Sequence, residues 1–446
     1  MPSTSIRRSG AKPSSIKPRE PCIKRLKDSR VLEAAASSRP LAYRASGVAF
    51  DTIRQFHPEL TAFRRDLHRN PELGFEEVYT ASRVVEALKL CGVDRIATGL
   101  GKTGVVALVH GQGYSAARPG RMVGLRADMD ALPIHERNEC AWKSTRQGLM
   151  HGCGHDGHTA MLVGAARYLA QSRRFDGTAV LIFQPGEEGY AGARAMIEDG
   201  LFEQFNCEKI FAQHNSPDVP LGVIGITPGP MQAAVDRIEI VVRGQGGHGA
   251  RPHQTIDPVL VAGHIITAVQ SVVARNLSAM DQAVISLCSM QGGHPEAMSV
   301  IPGEVTLVGT ARTYDPKVQD QIEQRLRTLC QGVAQGFGAS ADLIYERVYP
   351  ATINTVPEAN FAADVAERLV GPARVSRNML ASMGGEDFSF MLQVRPGAYI
   401  RIGQGRSDGP GPYPLHNSRY DFNDDILPLG AALHSSLVEQ ALPLQL

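Results

Sequence analysis

Apolar positions take on a sustained period only from about Phe50 onward. Leu60, Phe63 and Leu67, with Leu73 more loosely, fall on one face at helical spacing and predict an amphipathic helix ended by Asn70-Pro71. A second helix is predicted around Tyr79–Leu90. Short apolar runs follow at Gly104–Val109, Met122–Leu125, Thr178–Phe183 and Lys209–Ala212, alternating with helical patterns that include His158–Gln171 and Gly192–Glu198. Strands that alternate with helices predict an α/β fold whose central sheet is mostly parallel and covered on both faces.

The rhythm changes between residues 233 and 349. Asp236–Arg243 alternates as a strand, Asp257–Arg275 is a long helical run, and Ala283–Met290 and Glu304–Thr313 read as two strands. Pro316–Gly336 is a helix opened by proline, and Ala341–Val348 is a last strand. The order β-α-β-β-α-β is ferredoxin-like. The chain therefore divides into a catalytic α/β domain at 47–232 and 350–446, interrupted by a ferredoxin-like insertion at 233–349. Residues 1–46, rich in Ser, Pro, Arg and Lys, read as a disordered tail.

Composition adds little until it is divided. The 446 residues carry 46 Lys+Arg and 45 Asp+Glu, a formal net charge of +1. That balance argues against a nucleic-acid binder. It is uneven, however. The first 50 residues hold 11 basic and 3 acidic side chains, so the rest of the chain is mildly acidic. No run of about 18 consecutive apolar residues predicts a membrane span. Seven scattered cysteines without CxxC spacing, and no apolar signal segment at the N-terminus, suggest a reducing, cytoplasmic setting.

Chemistry-bearing residues gather in a few short segments. Met150–His158, MHGCGHDGH, packs a Cys and three His between glycines. Thiolate and imidazole are good ligands for zinc-like cations. In extended backbone Cys153 and His155, two apart, would face the same way. The segment reads either as a metal site or as a Gly-rich turn with incidental histidines. Phe183–Gly189, FQPGEEG, sets Glu187 and Glu188 after a strand, where α/β sites gather. One carboxylate there would suit a metal and the other a bound water, unless the pair is only a solvated turn. His214 also follows an apolar strand, and His416 lies far along the chain in LHNSRYDFND. Asp128 and Asp130, in RADMDALP, are candidate ligands, orienters of a ligating histidine, or caps of a turn.

Taken in order, RADMDALP, MHGCGHDGH, FQPGEEG, GQGGHGARPH, SVIP…GTAR and LHNSRYDFND resemble the M20 metallopeptidase family, in its aminoacylase and amidohydrolase branch. That branch contains hippurate hydrolases, N-acyl-amino-acid amidohydrolases and plant auxin-conjugate hydrolases. The resemblance spans about residues 50–446 and implies a dinuclear metal-dependent enzyme with a lid that mediates dimerisation. It implies Cys153, His155, Glu188, His214 and His416 as ligands of two divalent cations, the cysteine bridging them. Manganese or zinc are the expected metals, with cobalt or nickel as options. It further implies Glu187 as general base and His248, in the lid, as a group that holds substrate and developing oxyanion. Asp130 is expected to support the ligands; Arg312, on a predicted lid strand, either pairs with a substrate carboxylate or is a solvent-facing strand charge. The implied substrate is a small N-acyl amino acid cleaved at its amide bond; a dipeptidase or carboxypeptidase is the alternative. Neither nucleic acid nor membrane is an expected partner; a homodimer through the lid is. Ser299 departs from the family pattern, standing where many members carry Asn before the Val-Ile-Pro stretch.

Overall fold

The computed structural model describes residues 43–115, 120–406, 409 and 411–444. Most of the segment read as a tail, residues 1–42, lies outside the described residues. So do 407, 408 and 410 of the Gly/Pro-rich stretch before His416.

After a short helical stretch at residues 48–56, helices α1 (His57–Arg69) and α2 (Val78–Cys91) lie where the apolar period predicts them. α2 stops at Gly92, whose φ of 75° gives the left-handed cap that glycine adopts without strain. Then follow β1 (Arg95–Leu100), β2 (Gly104–His110), β3 (Met122–Asp128), α3 (His155–Ser172), β4 (Thr178–Gln184) and β5 (Lys209–Ser216).

Residues 234–349 form β6 (Ala234–Arg243), α4 (Pro258–Ser271), β7 (Ala283–Gln291), β8 (Glu304–Thr313), α5 (Pro316–Gly336) and β9 (Ser340–Tyr349). Asp257 and Asp315 cap α4 and α5 by accepting from backbone N–H groups one turn in, each followed by proline at the first helical position. The chain then returns as α6 (Val356–Val370), β10 (Gly397–Gly403) and α7 (Leu427–Ala441).

The large sheet runs β1-β2-β4-β3-β5-β10, extended by the short strands Ile224–Gly225 and Val375–Ser376. Four of its seven described pairings are parallel, and these include the centre, β4-β3-β5-β10. The remaining pairings, β1-β2, β2-β4 and β10 with Ile224–Gly225, are antiparallel. β4 (TAVLIFQ) is buried at every position, as expected for a strand covered on both faces. One face packs under residues of α1, α2, α3, α6 and α7. The other packs under Ala193, Met196, Leu201, Phe202, Phe388 and Met391.

The second sheet, β7-β8-β6-β9, is antiparallel throughout and has its own core from α4 and α5, with Val261, Ile265, Ile322 and Leu326 against Ile238, Ile240 and Leu307. The structure is thus an α/β protein with a ferredoxin-like lid, as the strand-and-helix pattern predicts. Helix Pro258–Asn276 has the length and mean hydropathy, 1.4, of a membrane span. Its buried face is spent on the lid sheet.

Candidate functional site

The central parallel strands deliver the site at their C-terminal ends, where the strands stop and the connections to the helices begin. β3 ends on Asp128, β4 leads into Glu187 and Glu188, and β5 carries His214 near its end. Cys153 and His155 arrive from the loop before α3. They do not sit on extended backbone as the two-residue spacing suggested. His155 is the first residue of α3, and Gly154 turns the chain at φ 98°. A Cβ at Gly154 would lie 2.5 Å from Asn215 Oδ1 and 2.6 Å from the Tyr420 hydroxyl, so only glycine permits this turn.

The five residues implied as ligands come together. Donor atoms of Cys153, His155 and His214 lie within 4.8 Å of one another, as do those of Cys153, Glu188 and His416. Cys153 belongs to both groups, which is what a bridging thiolate requires. Its Sγ is 3.4 Å from His214 Nε2. Glu188 Oε1 is 3.2 Å from His416 Nε2 and 4.0 Å from His155 Nε2. His155 Nε2 and Glu188 Oε1 are buried without a hydrogen-bond partner among the described residues. An imidazole nitrogen without a partner and a carboxylate oxygen whose close contact with His416 Nε2 makes no hydrogen bond, both aimed into one cluster of S, N and O donors, fit divalent cations. His416 reaches the cluster from a left-handed backbone, φ 64°, a strained conformation for a histidine.

The electrostatics match. Burial and the nearby His158 hold His214 well below the usual imidazole range, and its Nδ1 donates to the Asn215 carbonyl at 2.7 Å, leaving Nε2 as a lone-pair donor. For His155, burial opposes charge, but Asp128 and Asp130 overcome it and raise its pKa to about 10. Burial, Glu188 and Glu187 push the Cys153 thiol well up. A cluster that protonates His155 and Cys153 when no metal is bound calls for positive charge.

Asp130 supports this array. Its carboxylate accepts from the backbone N–H groups of Glu187 and Glu188, at 3.0 and 2.9 Å, and lies 3.3 Å from His155 Nδ1. Glu187 is buried, and burial together with Glu386 and Glu188 holds its carboxyl well above the usual range. It is anchored at three points: Asp130, the N–H of Asp387 donating to Oε1 at 3.3 Å, and the Tyr349 hydroxyl donating to its carbonyl.

Beneath lies a buried ion cluster of which the sequence singles out only Asp128. Arg126, fully buried, donates to Gln184, Asp128, Glu386 and Asp387 at 2.7–3.0 Å. Glu386-Asp387, in GGEDF, repeats the pattern of PGEEG, two adjacent carboxylates after glycine; that was the available signal. His158 is also inside, but both ring nitrogens are engaged, Nδ1 by Asp128 and Nε2 by Asn215, each at 2.6 Å.

The cluster opens into a cavity of about 620 Å³ lined by Cys153, Glu187, Glu188, His214 and His416 together with Gln232, Tyr349, Ser382, Tyr399 and Arg401. The two remaining sequence candidates are not among its lining residues. His248 is exposed on a small ribbon, Gly247–His248 against Val300–Ile301, next to Ser299, whose carbonyl accepts from the Gly249 N–H. Arg312 is half-buried on β8 and turned onto Thr310 and the Ala311 carbonyl of its own strand.

The sequence profile described as peptidase family M20/M25/M40 matches residues 124–440. The chain is 38% identical to a hippurate hydrolase of Campylobacter jejuni over 86% of its length and 97% of that protein. It is 35% identical to thermostable carboxypeptidase 2 of Saccharolobus solfataricus over 86% of its length and 96% of that protein. A solved Bacillus subtilis protein, described as a dinuclear metal binding peptidase from the M20 family, superposes with a TM-score of 0.75 at 33% identity, covering 87% of this chain and 99% of the other.

Proposed function

The chain belongs to peptidase family M20/M25/M40 and is a metal-dependent amidohydrolase, and from that premise we propose that it cleaves the amide bond of N-acyl amino acids, releasing a carboxylic acid and a free amino acid. The observation that carries this reading is the adjacency of a buried carboxylate base, Glu187, to a five-residue ligand set shared through Cys153. Such a set takes two divalent ions, manganese or zinc, with cobalt or nickel as options. Bound metal supplies Lewis acidity and an acidified water at neutral pH.

The chain's own groups do the rest. Asp130 fixes His155 and the backbone of Glu187 and Glu188, so that ligand and base keep one geometry. The Glu187 carboxylate takes the proton of the attacking water and later gives it to the leaving amine. Burial and the neighbouring Glu386 and Glu188 hold its carboxyl above the usual range, the direction that favours taking a proton from water. The water-poor surroundings of Glu187 strengthen each of these charges. His248 is assigned to the developing oxyanion. Being exposed on the lid and absent from its own cavity, it would serve by lid closure or in the cavity of a second copy.

A homodimer through the lid is supported by β7, an open edge strand that exposes Val284 and Met290, and by exposed Val259 and Leu260 on α4. The six described cysteines are unpaired, which supports a cytoplasmic setting.

A carboxypeptidase or dipeptidase is the second reading, favoured by the similarity to a thermostable carboxypeptidase. The decisive experiment screens hippurate, N-acetyl amino acids, blocked peptides and dipeptides on apo-protein reloaded separately with Zn, Mn, Co or Ni. Turnover confined to peptides would replace the N-acyl reading with the second one.

A further inference from the structure

Among the described residues that line the cavity, one carries a permanent positive charge, Arg401. It lies on β10 in register with His214 of the parallel neighbour β5. In-register neighbours in a sheet project from the same face, so the guanidinium shares its face with the His214 imidazole. The alternation along β10 agrees: Ala398, Ile400 and Ile402 enter the apolar core, while Tyr399 and Arg401 line the cavity.

Arg401 is half-buried and, among the described residues, has no carboxylate within ion-pair distance. Its one hydrogen bond is a long contact of 3.4 Å from Nη2 to the Met231 carbonyl. The buried arginines of this domain are different: Arg126 and Arg64 are each surrounded by three carboxylates. A guanidinium has five N–H donors in a planar fork that matches a carboxylate. Arg401 leaves most of that fork unused, facing a cavity also lined by Gln232 and Ser382. Arg312, expected from the sequence to meet a carboxylate, instead hydrogen-bonds within its own strand.

We propose that Arg401 is the anion anchor of the cavity, binding a carboxylate of the substrate and selecting amides that carry one. The inference rests on the amidohydrolase reading of the same site and deepens it. The carboxylate comes either from the amino-acid half or from the acyl half of the substrate. An anchor at one end, away from the reacting bond, binds ground state and transition state alike, so its loss raises KM and leaves kcat nearly unchanged.

The test compares metal-loaded wild type, Arg401→Gln and Arg401→Lys, each checked for melting temperature and metal content, on hippurate, its uncharged amide, and N-succinylglycinamide. With the α-carboxylate anchored, Arg401→Gln raises KM for hippurate about 10- to 100-fold, leaves the uncharged amide unchanged, and Lys restores part of the loss. With an acyl carboxylate anchored, the succinyl compound takes the loss and hippurate does not. Equal KM values in wild type and Arg401→Gln on all three compounds, or an equal rise on charged and uncharged ones, overturns the proposal. If wild type cleaves none of them, the substrate reading falls. Arg401 is then judged by calorimetric binding of N-acetylglycine against its amide, and equal affinity in wild type and Arg401→Gln overturns it.

Discussion

The hydroxyl of Tyr349 donates a hydrogen bond of 2.6 Å to the backbone carbonyl of Glu187. Tyr349 is the last residue of the last lid strand, so the point where the chain leaves the lid is tied to the loop that carries Glu187. The same hydroxyl accepts from the Ala191 N–H at 3.2 Å and so closes the loop on both sides. Tyr349→Phe keeps the ring and removes both bonds. Turnover should fall about 10-fold with KM and metal content unchanged, and stability by about 1–3 kcal/mol for the two buried groups left unpaired. Steady-state kinetics with urea denaturation check this; a variant with wild-type kcat would show that Glu187 keeps its place without this hydroxyl.

Metal binding and proton transfer should separate genetically. Glu187→Gln preserves shape and the Asp130 contact, which is made by backbone. It should retain both metals and lose turnover by about 10³-fold, within the usual range for a general base. Cys153→Ala removes the one donor common to both ligand groups, so the metal content measured by atomic emission should drop at both positions together. Loss of only one ion would make Cys153 a terminal ligand.

Asp130 touches three groups of the site, the His155 Nδ1 and the backbone N–H groups of Glu187 and Glu188. Asp130→Asn replaces one acceptor oxygen by an N–H that opposes a backbone N–H. Metal affinity should fall about 10- to 100-fold, the customary loss when a group orienting a ligand is changed. Competition with a chelator measures it, and unchanged affinity would leave Asp130 as a loop brace only.

The central strands were legible because burial on both faces leaves continuous apolar runs: Thr178–Phe183 reads as a strand on sight. β1, RIATGL, pairs at the sheet edge with no such run and was invisible to the pattern. Cys153, His155, Glu187 and Glu188 were legible because their residue types are unusual beside glycines. Arg126 was noticed only as part of a segment. A charge inside an apolar strand can be kept only if other chain segments bring partners, and Glu386 and Asp387 arrive from 260 residues away, a distance no local period encodes. His248 was assigned by resemblance and Arg312 only from the fit of a guanidinium to a carboxylate, and neither is among the described residues lining the cavity of the single chain.

Stability should depend on alkaline pH through His68. Burial works against its charge, but Asp156, 2.8 Å from Nδ1, and Glu136 behind Nε2 overcome that and raise its pKa from 6.5 to about 9. The folded protein therefore keeps a proton that the unfolded chain releases in this window. The stabilisation is complete below pH 6.5 and is lost as pH rises through 9. Denaturant midpoints should decline across that interval, and His68→Gln should flatten the slope while lowering stability at pH 6. An unaltered slope in the variant would assign the alkaline loss to other groups.

Arg126 offers the largest single effect. Its guanidinium sits between Asp128, Glu386 and Asp387, all inaccessible to water. Arg126→Met removes the one cation that touches all three carboxylates and leaves Glu386 and Asp387 without a cationic partner among the described residues. Burial and Glu386 already push Asp387 up to about 8 with the arginine present. Without it the carboxyls must take up protons or unfold the region, at a cost of about 3–5 kcal/mol. The loss should be smaller at pH 5 than at pH 8, because protonation relieves the repulsion that the arginine no longer cancels. Urea denaturation at the two pH values measures it. A pH-independent loss would mean that Arg126 contributes packing rather than charge.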